Sequence, residues 1–364
     1  MTVQNTLKTP LAGVIQSKSK KIYGYTAPNT SRTKRLLVLA PSHYDATSFY
    51  RACGPFLSMR MHDWKITMAR RDDEIDWSHI VENDVIFMQR PYLAEHRQVA
   101  EITVSLGRAL WVDYDDHVLG IPFSNPACMT YRNPDVINSI KKVLEIAHVI
   151  TVSTYALKRE LLKITPDRGN IFVIPNAWND YIHKWNKKPF QLHKRIFWRG
   201  SATHNEDIEE HLEAIAAVHQ RIPDWEWCFV GQPSFRIMNV LPQDKVTVVP
   251  TLHLVKYFNF MRVMEASLAI VPLANSVFNE CKSNIAWQEA TCAGAAVVAP
   301  QWDEWQMGGI THYGFNHGKS FADACMEAVE NLEMNYNLSW EVLSQERRLS
   351  KINAHRLRIM EALS

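Results

Sequence analysis

The sequence predicts an α/β protein built from two doubly wound parallel sheets. Three features carry that expectation. Apolar runs of four to six residues recur without polar alternation, the pattern of strands covered on both faces. Amphipathic stretches lie between the runs, and such alternation favours parallel crossover units. The pattern stops near residue 180 and restarts near residue 195, so the same architecture is expected twice.

In chain order, residues 36–40 read as a buried strand ending at Pro41, followed by strands at 64–68, 84–88, 109–112, 148–152 and 171–174. Helices are expected over 138–147 and 155–164. Residues 180–195 carry Lys184, Lys187, Lys188, Lys194 and Arg195 around Pro189 without clear periodicity, and read as a linker. A strand at 195–198 opens the second half. Ile208, Leu212, Ile215 and Val218 then fall on one helical face. Strands are expected at 225–230, closed by Gly231, and at 246–249, 268–271 and 295–298. Residues 345–363 read as a basic helix with Leu349, Ile352, Leu357, Met360 and Leu363 as an apolar stripe and a solvated cationic face. The expected divisions are a tail over 1–34, a first domain over 35–186, a second over 187–345 and a terminal helix over 346–364.

Composition excludes several classes. The 364 residues include 46% hydrophobic and 21% charged, which is ordinary globular chemistry. That length exceeds what one core usually supports. The net charge is +2, from 40 Lys+Arg against 38 Asp+Glu, but it is unevenly spread. Residues 1–35 hold Lys8, Lys18, Lys20, Lys21, Arg32, Lys34 and Arg35 and no acid; the rest is 33 basic against 38 acidic, or −5. A basic tail on an acidic body points to an anionic partner or to a solvated terminus. No apolar run approaches the ~18 residues of a membrane span, and the apolar core of a secretory signal is missing. Cys53, Cys128, Cys228, Cys281, Cys292 and Cys325 are scattered without a C-x-x-C pair. That argues against a zinc site or a disulfide framework and for a reducing, cytoplasmic setting. No two glycines are spaced G-x-G, so the dinucleotide fingerprint and the Walker loop are both missing.

Chemistry-bearing residues cluster where strands end. Lys282-Ser283-Asn284 precedes an expected helix start, with Ser283 or Asn284 as cap and Lys282 as a cation beside amides suited to phosphate. Glu289 lies farther along that helix and can accept bonds from sugar hydroxyls. Arg199, Gly200, Ser201 and His204 follow the first strand of the second half, where donors for a diphosphate are expected. Asp113, Asp115, Asp116 and His117 crowd the end of the fourth strand. The D-x-D spacing of Asp113 and Asp115 fits a divalent metal less well than a base or a ligand for an acceptor hydroxyl. Tyr50-Arg51 follows the first strand, and Pro175-Asn176-Ala177 ends the sixth.

Taken in order, these pieces resemble the retaining glycosyltransferases of the GT-B fold, family 4, and in particular a phage-associated branch. The matching pieces are Tyr50-Arg51, Asp115-Asp116, 150–153, 174–177, Arg199-Gly200-Ser201 with His204, Pro272-Leu273, and Phe278-Asn279 with Lys282-Ser283 and Glu289. They span roughly residues 36 to 300. The resemblance implies two Rossmann-like domains facing each other across a cleft, the first for the acceptor and the second for a nucleotide-sugar. It implies transfer from a donor, a UDP-sugar, to an acceptor hydroxyl with retention, and neither metal nor cofactor. Arg199 would face the leaving group, and Gly200, Ser201, His204, Lys282, Ser283, Asn284 and Glu289 would bind the donor. Asp115, Asp116 and His117 would serve catalysis, and Tyr50, Arg51 and Asn176 the acceptor. One departure stands out: Cys281 lies eight positions before Glu289, where the family's motif has its first glutamate, and Glu280 is one place out of register.

The acceptor is expected to be a hydroxymethylated base of phage DNA, with the basic tail and the linker lysines on double-stranded DNA. An envelope saccharide or lipid is the other acceptor. A nucleotide-sugar epimerase of the same fold and a non-catalytic nucleotide-sugar or nucleic-acid binder are the competing functions.

Overall fold

The structure, a computed structural model, describes residues 33–42, 45–59, 63–73, 75, 77–165, 169–183 and 186–364. The expected tail, apart from its last two residues, lies outside them, as does Lys184.

The described residues form two compact units, one within 33–121, 127–182 and 349–364, the other within 122–126 and 183–348. Each holds a six-stranded sheet whose pairings are all parallel. The first contains β1 (Lys34–Ala40), β2 (Trp64–Arg70), β3 (Val85–Gln89), β4 (Ala109–Tyr114), β5 (Val149–Val152) and β6 (Ile171–Val173), in the order β2-β1-β3-β4-β5-β6. The second contains β7 (Arg195–Gly200), β8 (Glu226–Gly231), β9 (Val246–Val249), β10 (Leu268–Ile270), β11 (Ala296–Pro300) and β12 (Ile310–Tyr313), in the order β12-β11-β10-β7-β8-β9. The expected two-sheet α/β architecture is present. Strand β12 was not expected: it is short, includes His312 and follows Gly308-Gly309.

The strands form where the apolar runs stand because both faces are covered. All residues of β3, β4 and β5 are buried. In the first unit Phe56, Phe87 and Trp111 meet edge to face with centroids 4.9–5.6 Å apart, a favoured aromatic geometry. In the second, Trp198, Trp227 and Phe229 pack with Ile208, Ile215 and Val218. Helix starts follow local chemistry. Asn133 accepts from Asp135 N ahead of helix Pro134–Ile146, and Thr154 accepts from Leu157 N ahead of Tyr155–Ile164.

Three expectations change. The single helix through Ile208 and Val218 is two, Asn205–Glu209 and Leu212–Arg221. At the break His211 Nδ1 bonds to Asp207 O at 2.8 Å. The basic terminal helix runs Leu349–Leu363 and packs on the core of the first unit through Leu349, Ile352, Ile359, Met360 and Leu363. Its cations are not all solvated, since Arg356 is buried, as is Arg347 just before the helix. The basic residues of 186–195 are engaged within the second unit. Lys188 Nζ donates to Arg262 O (2.6 Å) and Ala293 O (3.0 Å), ending two helices, Leu254–Val263 and Ile285–Ala293. Lys194 pairs with Asp224 and Arg195 with Glu226.

A pH dependence is built into helix Ala94–Ser105. His96 Nδ1 accepts from Tyr92 N and Leu93 N, both at 3.1 Å, so Nε2–H donates to Asp72 at 2.9 Å. Burial, then Arg71, pushes His96 down to about 4 against the pull of Asp72. The unfolded ring takes its proton near ~6.5. Stability is therefore lost as pH falls from there through the folded value. Melting temperature is expected to drop between pH 7 and 4.5 in wild type, and to drop less in His96→Gln, as read by scanning calorimetry.

Candidate active site

The order of the second sheet reverses between β7 and β10, and in open parallel sheets ligands bind beyond the carboxyl ends of strands at such a reversal. Arg199 and Gly200 end β7 at that place. Gly200 pairs with Gly231, whose φ of +113° favours glycine and whose Cβ, if present, would lie 1.9 Å from Gly200 O. A Cβ on Gly200 would lie 2.4 Å from the Trp198 ring. Gly200 thus serves strand and ring packing, not only the close ligand approach expected of it. Ser201 and Thr203 follow on the surface, their hydroxyls 2.7 Å apart.

Two buried carboxylates gather the polar groups of this end. Glu289, 4% exposed, stands in helix Ile285–Ala293. Its Oε2 lies 2.8 Å from Arg199 Nε and accepts from Tyr257 Oη at 2.7 Å. Burial first, then Glu289, holds the Tyr257 phenol far above its usual range, so it stays a donor. Asp207, also 4% exposed, is the second centre. Its Oδ1 accepts from Ala274 N (2.9 Å) and Asn279 Nδ2 (2.6 Å). Its Oδ2 lies 2.7 Å from His204 Nδ1 and 3.7 Å from Lys282 Nζ. Burial opposes the charged carboxylate, but the bond to His204 and the charge of Lys282 outweigh it, and the pKa is lowered. Lys282 Nζ also sits 3.2 Å from His204 Nδ1 and 5.0 Å from the centre of the Phe278 ring. Burial, then Lys282, lowers the pKa of His204.

Arg199, His204, Lys282 and Glu289 therefore come together as the sequence expects, within one unit. Asn284 does not join them. It stands at the start of its helix without a side-chain cap, fully buried, with Nδ2 donating to Glu304 O (2.9 Å) and Oδ1 accepting from Gln288 Nε2 (3.0 Å). The expected cap is thus turned inward to hold the next loop. Ser283 beside it is half-buried. Cys281, at the place of the missing glutamate, is buried at the end of helix Val277–Glu280. A cavity of about 560 Å³ opens alongside, lined by Ser124, Thr203, Asn205, Glu206, Glu209 and Glu210 among others. Its walls are acidic and hydroxylic, unsuited to phosphate.

In the first unit the order reverses at β1 and β3. Here the structure changes the roles expected of three residues. Arg51, 1% exposed, grips both oxygens of Asp113, with Nε–Oδ1 2.9 Å and Nη2–Oδ2 2.6 Å. Its Nη1 donates to Ile174 O (2.6 Å) and Asn176 Oδ1 (3.1 Å). Thr151 Oγ1 donates to Asp113 Oδ2 at 2.6 Å. Tyr50 and Asn176 are buried as well. Tyr50, Arg51 and Asn176 therefore lie inside the strand ends rather than on an acceptor surface. Both oxygens of Asp113 are thus engaged by Arg51 and Thr151; among the described residues no group of three or more His, Cys, Asp or Glu could hold a metal ion.

Asp115 and Asp116 remain partly exposed and share one cation. Arg90 reaches Asp115 Oδ1 through Nε (3.0 Å) and Nη2 (2.6 Å), and Asp116 Oδ2 through Nη2 (3.0 Å). Burial would lower the pKa of Arg90, but Asp115 and Asp116 raise it. Arg90 has φ +46°, the one positive value among described non-glycine residues. Such strain concentrates at functional sites. His117 sits 4.0 Å from Glu160 with its ring against Gly120, and burial lowers its pKa.

Sequence reading missed Asp207, Tyr257 and Arg90, and gave Asn279 no role of its own. Asp207 stands in a run of acids (Glu206, Asp207, Glu209, Glu210) that looks like a solvated helix start. Tyr257 has no local mark. Arg90 did carry a signal, a cation immediately after a buried strand and before Pro91.

No family model matches the chain, and no curated protein does. Solved structures do. Sucrose-phosphate synthase from Thermosynechococcus elongatus superposes with a TM-score of 0.63 at 14% identity, covering 91% of this chain and 99% of that one. HepE of Anabaena in complex with UDP gives 0.63 at 12% identity, with 90% and 100% covered. A Listeria monocytogenes protein described as a UDP-N-acetylglucosamine 2-epimerase gives 0.52 at 14% identity, with 91% and 96% covered. This likeness shows the fold: two Rossmann-like domains of the GT-B type.

Proposed function

We propose that the protein is a retaining glycosyltransferase that moves a hexosyl group from a UDP-sugar to an acceptor hydroxyl. One observation carries the reading: Arg199, Lys282 and His204 converge with Glu289 and Asp207 at the switch point of the second sheet. Negative charge develops on the diphosphate as the glycosidic bond breaks, and fixed cations there stabilise it. Two buried carboxylates keep those cations in place without filling the site with mobile charge. That HepE binds UDP on this fold supports a uridine donor. The acidic, hydroxyl-lined cavity next to His204 suits sugar hydroxyls.

In this reading Asp115 and Asp116, tied by Arg90, orient the acceptor hydroxyl, with His117 nearby in sequence. Tyr50, Arg51 and Asn176 support that strand end from beneath. The acceptor is a hydroxymethylated base of phage DNA, reached in a host cytoplasm. The support for DNA is now narrower, since Lys188, Lys194 and Arg195 are spent on internal bonds and pairs. It rests on the basic residues of the tail. The epimerase reading is favoured by the Listeria likeness alone.

A screen of nucleotide-sugars against hydroxymethylated DNA and envelope saccharides or lipids, read by mass spectrometry, tests the proposal. Sugar-modified DNA is the expected product. A modified saccharide or lipid moves the acceptor assignment, isomerised donor without acceptor establishes the epimerase, and intact donor throughout refutes catalysis of either kind.

A further inference from the structure

His204 offers one nitrogen to two partners of opposite charge. Its Nδ1 lies 2.7 Å from Asp207 Oδ2 and 3.2 Å from Lys282 Nζ. These partners demand different things of that atom. Asp207 accepts only, so it needs Nδ1 to carry a hydrogen. Lys282 donates only, so it needs Nδ1 bare. A neutral ring can satisfy one of them; an imidazolium satisfies Asp207 and repels Lys282. The state of the ring is therefore set by where Lys282 points.

Asp207 is not able to follow a moving partner. Its Oδ1 is fixed by the Ala274 amide and by Asn279, whose own Nδ2 also donates to Ala274 O at 2.9 Å. Lys282 Nζ lies 3.7 Å from Asp207, beyond hydrogen-bond reach, and within that reach of His204 Nδ1. Among the described residues three charged groups act on the ring: Asp207 from the helix that His204 precedes, Lys282 from the turn after Val277–Glu280, and Arg199 from β7. Two are cations, which keeps a proton off the ring while no anion is present. An anion bound between Lys282 and Arg199 offsets both of these charges and adds negative charge beside the ring.

We propose that His204 takes up a proton when a nucleoside diphosphate binds, and that Asp207 is the positioning residue that holds the resulting imidazolium against it. This rests on the donor assignment above. The balance is simple: one proton passes from solvent to the imidazole, Nδ1–H donates to Asp207, and Nε2–H becomes available as a charge-assisted donor. The site then presents three cations to the diphosphate in place of two. It releases the third when the nucleotide leaves, so the empty pocket never holds more buried positive charge than Asp207 and Glu289 can offset.

Calorimetric titration of the full chain with UDP at pH 7, in two buffers of different ionisation enthalpy, measures the proton count directly. The expected result for wild type is an uptake of about half a proton or more per UDP bound. His204→Gln keeps a polar side chain but cannot titrate, so the difference from wild type separates the imidazole from the phosphate's own protons. In that variant the uptake is expected to vanish. Asp207→Asn is expected to reduce the uptake and weaken UDP by roughly tenfold, while Asp207→Glu recovers part of both. Equal heats in the two buffers for wild type, or an undiminished uptake in His204→Gln, overturn the proposal while leaving UDP binding intact. A chain that binds no UDP overturns the donor assignment and this proposal together.

Discussion

Replacing Glu289 by alanine is expected to lower donor turnover by about 100-fold or more, and Arg199→Ala is expected to do the same. The geometry explains why the two behave alike. Oε2 of Glu289 holds both Arg199 Nε (2.8 Å) and Tyr257 Oη (2.7 Å). Without the carboxylate, the guanidinium loses its anchor and the Tyr257 hydroxyl its acceptor. Arg199 is partly exposed and can turn to solvent, so the variant should fold. The loss then falls on chemistry. A double variant should be little worse than either single one, because groups acting as a unit are non-additive. Steady-state assays with a UDP-sugar and circular dichroism of each variant check this. Near-wild-type turnover in both single variants would sink the assignment.

Arg51→Ala is expected to act on stability instead. Both partners of the Arg51–Asp113 pair are buried, with side chains 1% and 3% exposed. Burial works against the charged guanidinium, but Asp113 more than offsets it, and the pKa of Arg51 is raised. Removing one member of such a pair typically costs about 3–5 kcal/mol. The lower end is expected here because Arg356 stands close. Its guanidinium is pushed down to about 9 by burial and then by Arg51, against the pull of Asp113. With Arg51 gone, Arg356 can partly neutralise Asp113. A fall in melting temperature of roughly 10 °C follows for a unit of this size. Arg51→Lys is expected to recover little, since a lysine cannot grip Asp113 with two parallel bonds and reach Ile174 O as well. UDP binding by the folded fraction should persist. Unchanged stability with lost transfer would return Arg51 to the acceptor surface.

These two residues show what was legible in the sequence and what was not. Strands were readable because parallel strands covered on both faces are continuously apolar, as 36–40 and 109–112 are. Strand β12 was not, because a short stretch with His312 after two glycines lacks that mark. That Arg199, Lys282 and Glu289 lie at one end of the second sheet was readable because each stands in a polar cluster next to an expected strand end or helix. Their depth was not. Arg51 and Arg199 look alike in sequence, each a cation directly after two aromatic or apolar residues, Phe49-Tyr50 and Phe197-Trp198. Arg51 is sealed by Asp113 and Asn176 from distant segments, and Arg199 is not. Asp207 and Tyr257 escaped because their importance comes from partners 67 to 72 and 32 residues away.

The proposed function requires the second unit to hold the diphosphate of a nucleotide through Arg199. Titration of UDP into the full chain and into Arg199→Ala, with melting temperatures taken in parallel, measures this most directly. Saturable binding near one UDP per chain is expected for wild type, with a loss of at least tenfold in affinity for the variant, about 1.4 kcal/mol, in a chain that still unfolds cooperatively at a melting temperature only slightly lowered. No binding by wild type, or equal binding by both, would contradict it.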